Sequence, residues 1–285
     1  MICNTFNITV VYSKVSQTLS SVYDWLFKAL WIIESERNDE KVNVYRKLIW
    51  PQISGKVLEL GPGFAQSLKF LQHTTLRDGS SAVDPSVVRS YTVLEPNTFL
   101  YERLQGSAEL NGFRVSYDPI SYPEGANIST MASGDENVPF SIVKGTLDTD
   151  DIPQAVLDEA PYDSILTSFS LCTAKNPEKS LENIFKLLRP GGTYYFIEHV
   201  RQPAPGDPLV IEDNGVNAQF WGKVQDWLNP AWKIIGHGCN INRRTGETIA
   251  KMGCWKDVDY KNVRPAIDLQ SRIMPLSFGK ATKPE

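Results

Sequence analysis

Apolar and β-branched positions fall into short runs that alternate with segments of helical period. Val57 to Leu60, Tyr91 to Leu94, Phe140 to Val143, Tyr162 to Ser168 and Thr193 to Ile197 read as strands. The first run ends in a glycine turn, Gly61-Pro62-Gly63, which is expected to open onto a helix from Gln66 to His73. Phe99 to Leu110 has helical period and is stopped by Asn111-Gly112, while Pro177 to Leu188 reads as an amphipathic helix stopped by Arg189-Pro190-Gly191-Gly192. Strands alternating with helices imply a parallel sheet covered on both faces, and unbroken apolar runs suit strands buried on both sides.

The connecting stretches are uneven. Ser80 to Arg89 is polar, contains Pro85 and reads as a loop. Ser116 to Pro139 lacks an apolar period and reads as a long loop or lid. Near the start, Val22, Tyr23, Leu26, Phe27, Leu30 and Ile33 recur at helical spacing, which predicts a helix packed on the main body rather than lying on a membrane surface. After the fifth strand, Gln202 to Gly215 is rich in proline and glycine and leads into an aromatic stretch with Trp221, Trp227 and Trp232. Thr245 to Met252 reads as a helix, with strands expected over Cys254 to Tyr260 and Met274 to Lys280.

Composition narrows the function classes. The 285 residues carry a formal net charge of -4 and show no cluster of Lys or Arg, so a nucleic-acid partner is not expected. No apolar stretch is long enough to span a bilayer, and a cytoplasmic location is expected. Cys3, Cys172, Cys239 and Cys254 form neither a disulfide pattern nor a metal-binding spacing, so no metal is expected.

In a parallel sheet of this kind, ligands bind at the carboxyl ends of the strands. The residues expected at those ends are Glu59, Glu95, Asp148, Ser168 and His199. Glycines at 61 and 63 let the main chain approach a ligand closely. An acidic residue just before that turn suits a ligand with an amino group or positive charge, which points to S-adenosylmethionine (SAM) rather than a dinucleotide.

Several ordered segments resemble the class I SAM-dependent methyltransferases, and among them the methyltransferase-like 7 group, which includes thiol methyltransferases. They are Leu58 to Gly63, Leu94-Glu95-Pro96-Asn97, Asp163 to Cys172, Leu188 to Gly192, Phe196 to Val200, and Trp232 through Gly238-Cys239-Asn240 to Arg243. The resemblance implies a Rossmann-like fold with a mostly parallel seven-stranded sheet, helices on both faces and a helical cap. It divides the chain into an N-terminal helical cap over 1–54 and a methyltransferase domain over 55–285, with a substrate-cap insertion at 201–244. Ala65 stands where many members carry a third glycine.

The same resemblance implies site roles. Gly61 and Gly63 contact the amino-acid part of SAM, and Glu59 holds its ammonium group directly or through water. Glu95, with Pro96 beside it, accepts the two ribose hydroxyls; Leu147 or Asp148 meets the adenine, and Ser168 lies near the methionine portion. His199 and His237 are the candidate bases on the acceptor side, and His73 reads as a helix-end surface residue. The implied reaction is methyl transfer to an oxygen or sulfur of a small, largely apolar acceptor such as a specialised metabolite. A cyclase or pericyclase that keeps the SAM pocket without methyl transfer is the alternative.

Overall fold

The computed structural model describes residues 22, 24–29, 40–76, 79–117, 137–212, 215–264 and 268–285. Residues 40–49 form helix α1. The strands that follow are β1 (Gly55–Leu60), β2 (His73–Thr75), β3 (Ser81–Val83) and β4 (Val88–Leu94). Helix α2 (Tyr101–Leu110) leads to β5 (Phe113–Tyr117) and β6 (Val138–Val143). Next come α3 (Gln154–Glu159), β7 (Tyr162–Ser168), α4 (Pro177–Leu187) and β8 (Leu188–His199). The chain closes with β9 (Val210–Glu212), α5 (Ala218–Ile235), α6 (Thr245–Lys251), β10 (Asp257–Val263), α7 (Leu269–Ile273) and β11 (Leu276–Thr282).

One sheet of nine strands runs β5-β6-β4-β1-β7-β8-β11-β10-β9, and β2 and β3 form a separate pair. Every neighbouring pair in the large sheet is parallel except the two that involve β11. The chain builds outward from β1 through β4 and β6, then crosses to β7 and β8 on the other side of β1. The strand order therefore reverses between β1 and β7. At such a reversal the connections leave in opposite directions and open a crevice at the carboxyl ends.

The two faces of the sheet are sorted by alternation along each strand. Val57 of β1, Val93 of β4 and Ile197 of β8 pack with Val42, Tyr45 and Ile49 of α1 and Leu104 and Ala108 of α2. Leu58, Leu60, Leu94 and Phe196 face the opposite side, against Val156 of α3, Leu181 and Ile184 of α4, and Ile249 of α6. Helix α4 starts where it does because the Asn176 side chain accepts the Lys179 N–H at 3.0 Å and Pro177 occupies the first position.

The parallel sheet covered on both faces is as expected, but several details differ. There are nine strands rather than seven, because β5 and β9 extend the two edges. The segment Gln66 to His73 is not a helix. It forms a single 3-10 turn, Leu68–Phe70, and His73 opens β2. The segment is too short to repay helix nucleation, and burying Leu68 and Leu71 in the core is what fixes it. His73 accordingly ends no helix; its ring nitrogens lie 2.8 Å from the Leu71 carbonyl and 3.2 Å from Asn111 Oδ1. The stretch Ser80 to Arg89 holds β3 and the start of β4. α4 ends at Leu187, and Arg189 to Gly192 lie inside β8, with Gly191 at φ 69°. Of the long loop Ser116 to Pro139, the two ends belong to β5 and β6, and 118–136 lies outside the described residues. No helix among the described residues is long and apolar enough to cross a membrane.

Two elements lie over the carboxyl ends of the strands. Residues 24–29 are helical and dock through Asp24, whose carbonyl accepts the Asn97 side-chain N–H at 3.2 Å. In that helix Phe27 is half-buried and Leu26 exposed, as is Val22 before it; Tyr23, Leu30 and Ile33 of the expected apolar face lie outside the described residues. α5 is pinned by Gln225, which is fully buried. Its side-chain N–H groups donate to the carbonyls of Val200, Ile241 and Ile273, and its oxygen accepts the Gln202 N–H at 2.9 Å. The tryptophans of α5 do not form one pocket: Trp221 and Trp232 are half-buried, while Trp227 is 78% exposed.

Candidate functional site

Three strands end side by side. Leu60 of β1 is in register with Leu94 of β4 on one side and Thr167 of β7 on the other. With strands about 4.8 Å apart, the next residues, Gly61, Glu95 and Ser168, form one row at the mouth of the crevice. Gly61 (φ 58°), Gly63 (φ 60°) and Ala65 (φ 50°) are all left-handed, so the chain coils tightly straight out of β1. A side chain at Gly61 would collide with Ser170 Oγ, 2.4 Å from where its Cβ would stand. Ala65 holds the same backbone conformation without being glycine, which is the structural meaning of the missing third glycine.

Two buried carboxyls sit beneath and beside this turn. Glu95 is 4% exposed; its oxygens accept the Gly63 N–H at 3.3 Å and the Asn97 N–H at 2.8 Å. Burial raises its pKa to about 7, with the charges of Glu59 and Asp24 adding to the rise and the two N–H donors opposing it. Glu59 is 1% exposed and points into the α1 face of the sheet. It accepts the Tyr91 hydroxyl at 2.8 Å and the Ser67 hydroxyl at 3.3 Å. Burial also raises its pKa to about 7, against the opposing pull of Tyr91, Arg46 and Ser67. Each Glu59 oxygen already accepts one hydroxyl, so an ammonium group reaching it would share the carboxyl with Tyr91 and Ser67.

The other sequence-predicted residues are spread around the row. Asp148 does not close the third strand, since β6 ends at Val143. Its carboxylate instead accepts the Lys175 N–H at 2.7 Å and the Thr146 hydroxyl. Leu147 is buried, and its carbonyl already accepts the Asn183 side chain at 2.9 Å. Pro96 follows Glu95 at the surface. Ser168 Oγ is buried and has no hydrogen-bond partner among the described residues. A buried hydroxyl left unpaired is costly and calls for a ligand atom or a water.

The two candidate histidines are separated in role. His237, in the left-handed region at φ 53°, lies 2.8 Å from Asp24 Oδ1 through Nε2 and packs against Phe27 with centroids 4.4 Å apart and ring planes tilted by 32°. It ties helix 24–29 to the end of α5. His199, at the end of β8, stacks on Phe169 and lies in a cluster with two sulfurs. Its Nδ1 is 3.8 Å from Cys172 Sγ and 3.7 Å from Cys239 Sγ, and the sulfurs are 3.4 Å apart. The Cys239 thiol is held well below its ordinary pKa by Cys172 and then by His199, while burial pushes the Cys172 thiol up.

Glu198 was missed at the sequence level and organises this corner. It is fully buried, and its carboxylate accepts the N–H groups of Ser170, Leu171 and Cys172 at 3.0–3.1 Å. The signal was present: an acid inside the apolar run of β8 needs partners. Ser170, held by that carboxylate, donates its hydroxyl to the carbonyls of Leu60 and Gly61. One short loop thus joins the glycine turn to the sulfur cluster.

Residues 123–196 match the family described as "Methyltransferase domain". The human thiol S-methyltransferase TMT1A is 34% identical over 125 residues, covering 44% of this chain and 45% of that protein. The human thiol S-methyltransferase TMT1B is 32% identical over 135 residues, covering 45% and 46%. The chain is a distant homologue of these thiol S-methyltransferases. It spans less than half the length of either relative. Among solved structures, a Haloferax volcanii putative methyltransferase in complex with its Trm112 activator overlays with a TM-score of 0.48 and 14% identity, covering 91% of this chain and 98% of that one.

Proposed function

We propose that this protein transfers the methyl group of SAM to the sulfur of a small, largely apolar thiol, with an oxygen acceptor as the less favoured case. The observation that carries the reading is the row at the strand ends. There the left-handed Gly61 and Gly63, the Glu95 carboxylate and the unpaired Ser168 hydroxyl meet. These residues fit an adenosyl sulfonium. Glu95 has lone pairs beyond those used by Gly63 and Asn97, enough for the two hydroxyls of a ribose. Ser168 Oγ supplies an unused donor and acceptor beside the turn. Sulfur is preferred because both human relatives named above are thiol S-methyltransferases.

The cofactor supplies an activated methyl group, so the chain's task is alignment and exclusion of water. Holding two reactants in line contributes on the order of 7–11 kcal/mol to such a reaction. The glycine turn and Glu95 fix the donor. Helix 24–29 and α5, joined through Asp24 and His237, close over it. We assign the acceptor to the side of the row where Phe169, His199 and Trp232 lie, a largely apolar surface suited to a small organic thiol.

The test is incubation of the full chain with methyl-labelled SAM and a panel of alkyl and aryl thiols beside matching alcohols and phenols. Label appearing in a thioether supports the reading. Label only in ethers moves the acceptor to oxygen, and turnover without label transfer overturns methyl transfer altogether.

A further inference from the structure

We propose that Cys172, Cys239 and His199 form a zinc site whose open fourth position receives the sulfur of a thiol acceptor. The second half of this statement rests on the methyl-transfer reading above; the first half does not. Two sulfurs and an imidazole nitrogen are a donor set zinc takes readily. Zn–S bonds of about 2.3 Å and Zn–N bonds of about 2.0–2.1 Å, at tetrahedral angles, place two sulfurs roughly 3.8 Å apart and a sulfur and nitrogen roughly 3.6 Å apart. The distances in this protein are 3.4 Å for the sulfur pair and 3.8 and 3.7 Å for the sulfur–nitrogen pairs. The two sulfur–nitrogen spacings match to about 0.2 Å, and the sulfurs need only part by about 0.4 Å to admit the ion.

Each donor is held by a separate device. Cys172 sits in the loop whose N–H groups Glu198 accepts. His199 is fixed at the end of β8 and stacked on Phe169. Cys239 is anchored by its own N–H to the Gly236 carbonyl at 3.0 Å and by the Asn240 N–H to the Cys172 carbonyl at 2.7 Å. The surroundings are mostly apolar, with Ile241 and Met274 buried beside the sulfurs and Phe169, Trp232 and Ile273 around them, while the opposite charges of Glu198 and Arg243 meet on the Cys172 loop. Two thiolates and a neutral imidazole cancel the charge of Zn²⁺, so the loaded site is neutral and tolerates this setting. Three protein ligands leave one position open, as in catalytic rather than structural zinc sites.

The open position suits the proposed chemistry. A thiol that coordinates zinc loses its proton to solvent. The bound sulfur then attacks the methyl carbon, a sulfur–carbon bond forms, and the bond to the sulfonium breaks with its electron pair going to that sulfur. The products are a neutral thioether, a weaker ligand than the thiolate, and S-adenosylhomocysteine (SAH). The Ser170 loop sets the cluster beside the glycine turn, since Ser170 reaches Gly61 and Cys172 lies two residues further on.

Metal content is measured on the full chain after zinc loading under reducing conditions and gel filtration into chelator-free buffer. About one zinc per chain is expected. Cys172→Ser and Cys239→Ser should each retain less than a tenth of that, and Cys254→Ser should retain all of it. Because Cys172 is in the core and its serine variant is liable to misfold, the unmutated chain is also loaded with cobalt(II). It should show the intense visible bands of tetrahedral thiolate cobalt, and benzyl mercaptan should shift them. No retained metal, equal retention in the double serine variant, or a Cys172–Cys239 disulfide in the purified protein overturns the site. Bands indifferent to thiol overturn the acceptor role. Calorimetry with SAH on the same sample separates the two readings. SAH binding without metal retention leaves methyl transfer standing and sinks the zinc site, and metal retention without SAH binding does the reverse.

Discussion

The two corners of the crevice are built in different ways. The glycine-turn corner comes from the residues that directly follow β1 and from the residue after β4, brought level by strand register. Its polar groups are main-chain N–H groups and two buried carboxyls, with hydroxyls between them. The sulfur corner takes Cys172, His199 and Cys239 from three segments separated by 27 and 40 residues. Its lining is largely apolar, with Glu198 and Arg243 bracing the Cys172 loop, and it depends on α5 and the loop after β7 arriving together. The first corner survives as long as the sheet does; the second also requires α5 and the segment after it to be in place.

Glu198 is where the two corners join, so its loss should have the largest effect. Glu198→Ala leaves the N–H groups of Ser170, Leu171 and Cys172 without their acceptor in a buried place. A loss of about 3–5 kcal/mol is expected. Glu198→Gln keeps one acceptor oxygen and should lose roughly half as much. Urea unfolding gives both numbers, and a loss under about 1 kcal/mol for the alanine variant would show that the loop is held by other means.

The carboxyls of the glycine corner make a pH signature near neutrality, to which buried Glu198 beside the sulfur corner adds in the same direction. Folded Glu59 and Glu95 keep their protons up to about pH 7, whereas the ordinary value is 4.5. Between those values the folded chain binds more protons than the unfolded one, so stability falls as pH rises. The stabilising contribution is complete below about pH 4.5 and gone above about pH 7, on the order of 3 kcal/mol per carboxyl. Glu59→Gln keeps a partner for Tyr91 and should remove roughly half of the part of the slope that Glu59 and Glu95 share. Chemical unfolding from pH 5 to 7.5 measures it, and a flat wild-type profile would contradict the burial of these ionisable groups.

Glu95 sharpens the comparison from the ligand side. If it grips a ribose diol, Glu95→Ala should weaken SAH binding roughly 100-fold, and Glu95→Gln about 10-fold, at unchanged metal content. The diol favours the ionised carboxyl, so SAH affinity should rise with pH through about 7, with protons released on binding. Calorimetry in buffers of different ionisation enthalpy reads both. Wild-type affinity in the alanine variant would remove Glu95 from the site.

How far the sequence reveals each corner follows from how that corner is assembled. Gly61, Gly63 and Glu95 are legible because a strand run followed by a turn fixes their place locally. Cys172 and Cys239 stand 67 residues apart, and no spacing rule for metal ligands reaches that far. Only the packing of α5 brings them together. The segment Gln66 to His73 misleads because Leu68 and Leu71, three apart, suit a helix and a 3-10 turn equally well. The edge strand β5 carries a readable alternation, with Phe113, Val115 and Tyr117 on one face and exposed Arg114 and Ser116 on the other. β9, at three residues, is too short to show any period.

The smallest expected effect is at Ala65, where two terms nearly cancel. A left-handed alanine costs roughly 1–2 kcal/mol that glycine avoids. Ala65 is also fully buried in the core beneath the turn, and removing its methyl group forfeits about 0.8 kcal/mol of burial. Glycine further loosens the unfolded chain by several tenths of a kcal/mol. Ala65→Gly should therefore shift stability by less than about 1 kcal/mol in either direction, read as a change in urea midpoint at constant slope. A stabilisation above about 2 kcal/mol would mean that the turn is under more strain than its backbone angles indicate. A loss of that size would mean that the methyl group wedges Leu68 and its neighbours in place. Because the main chain at 65 keeps its path in either case, SAH affinity should stay within about twofold while zinc content stays at one per chain.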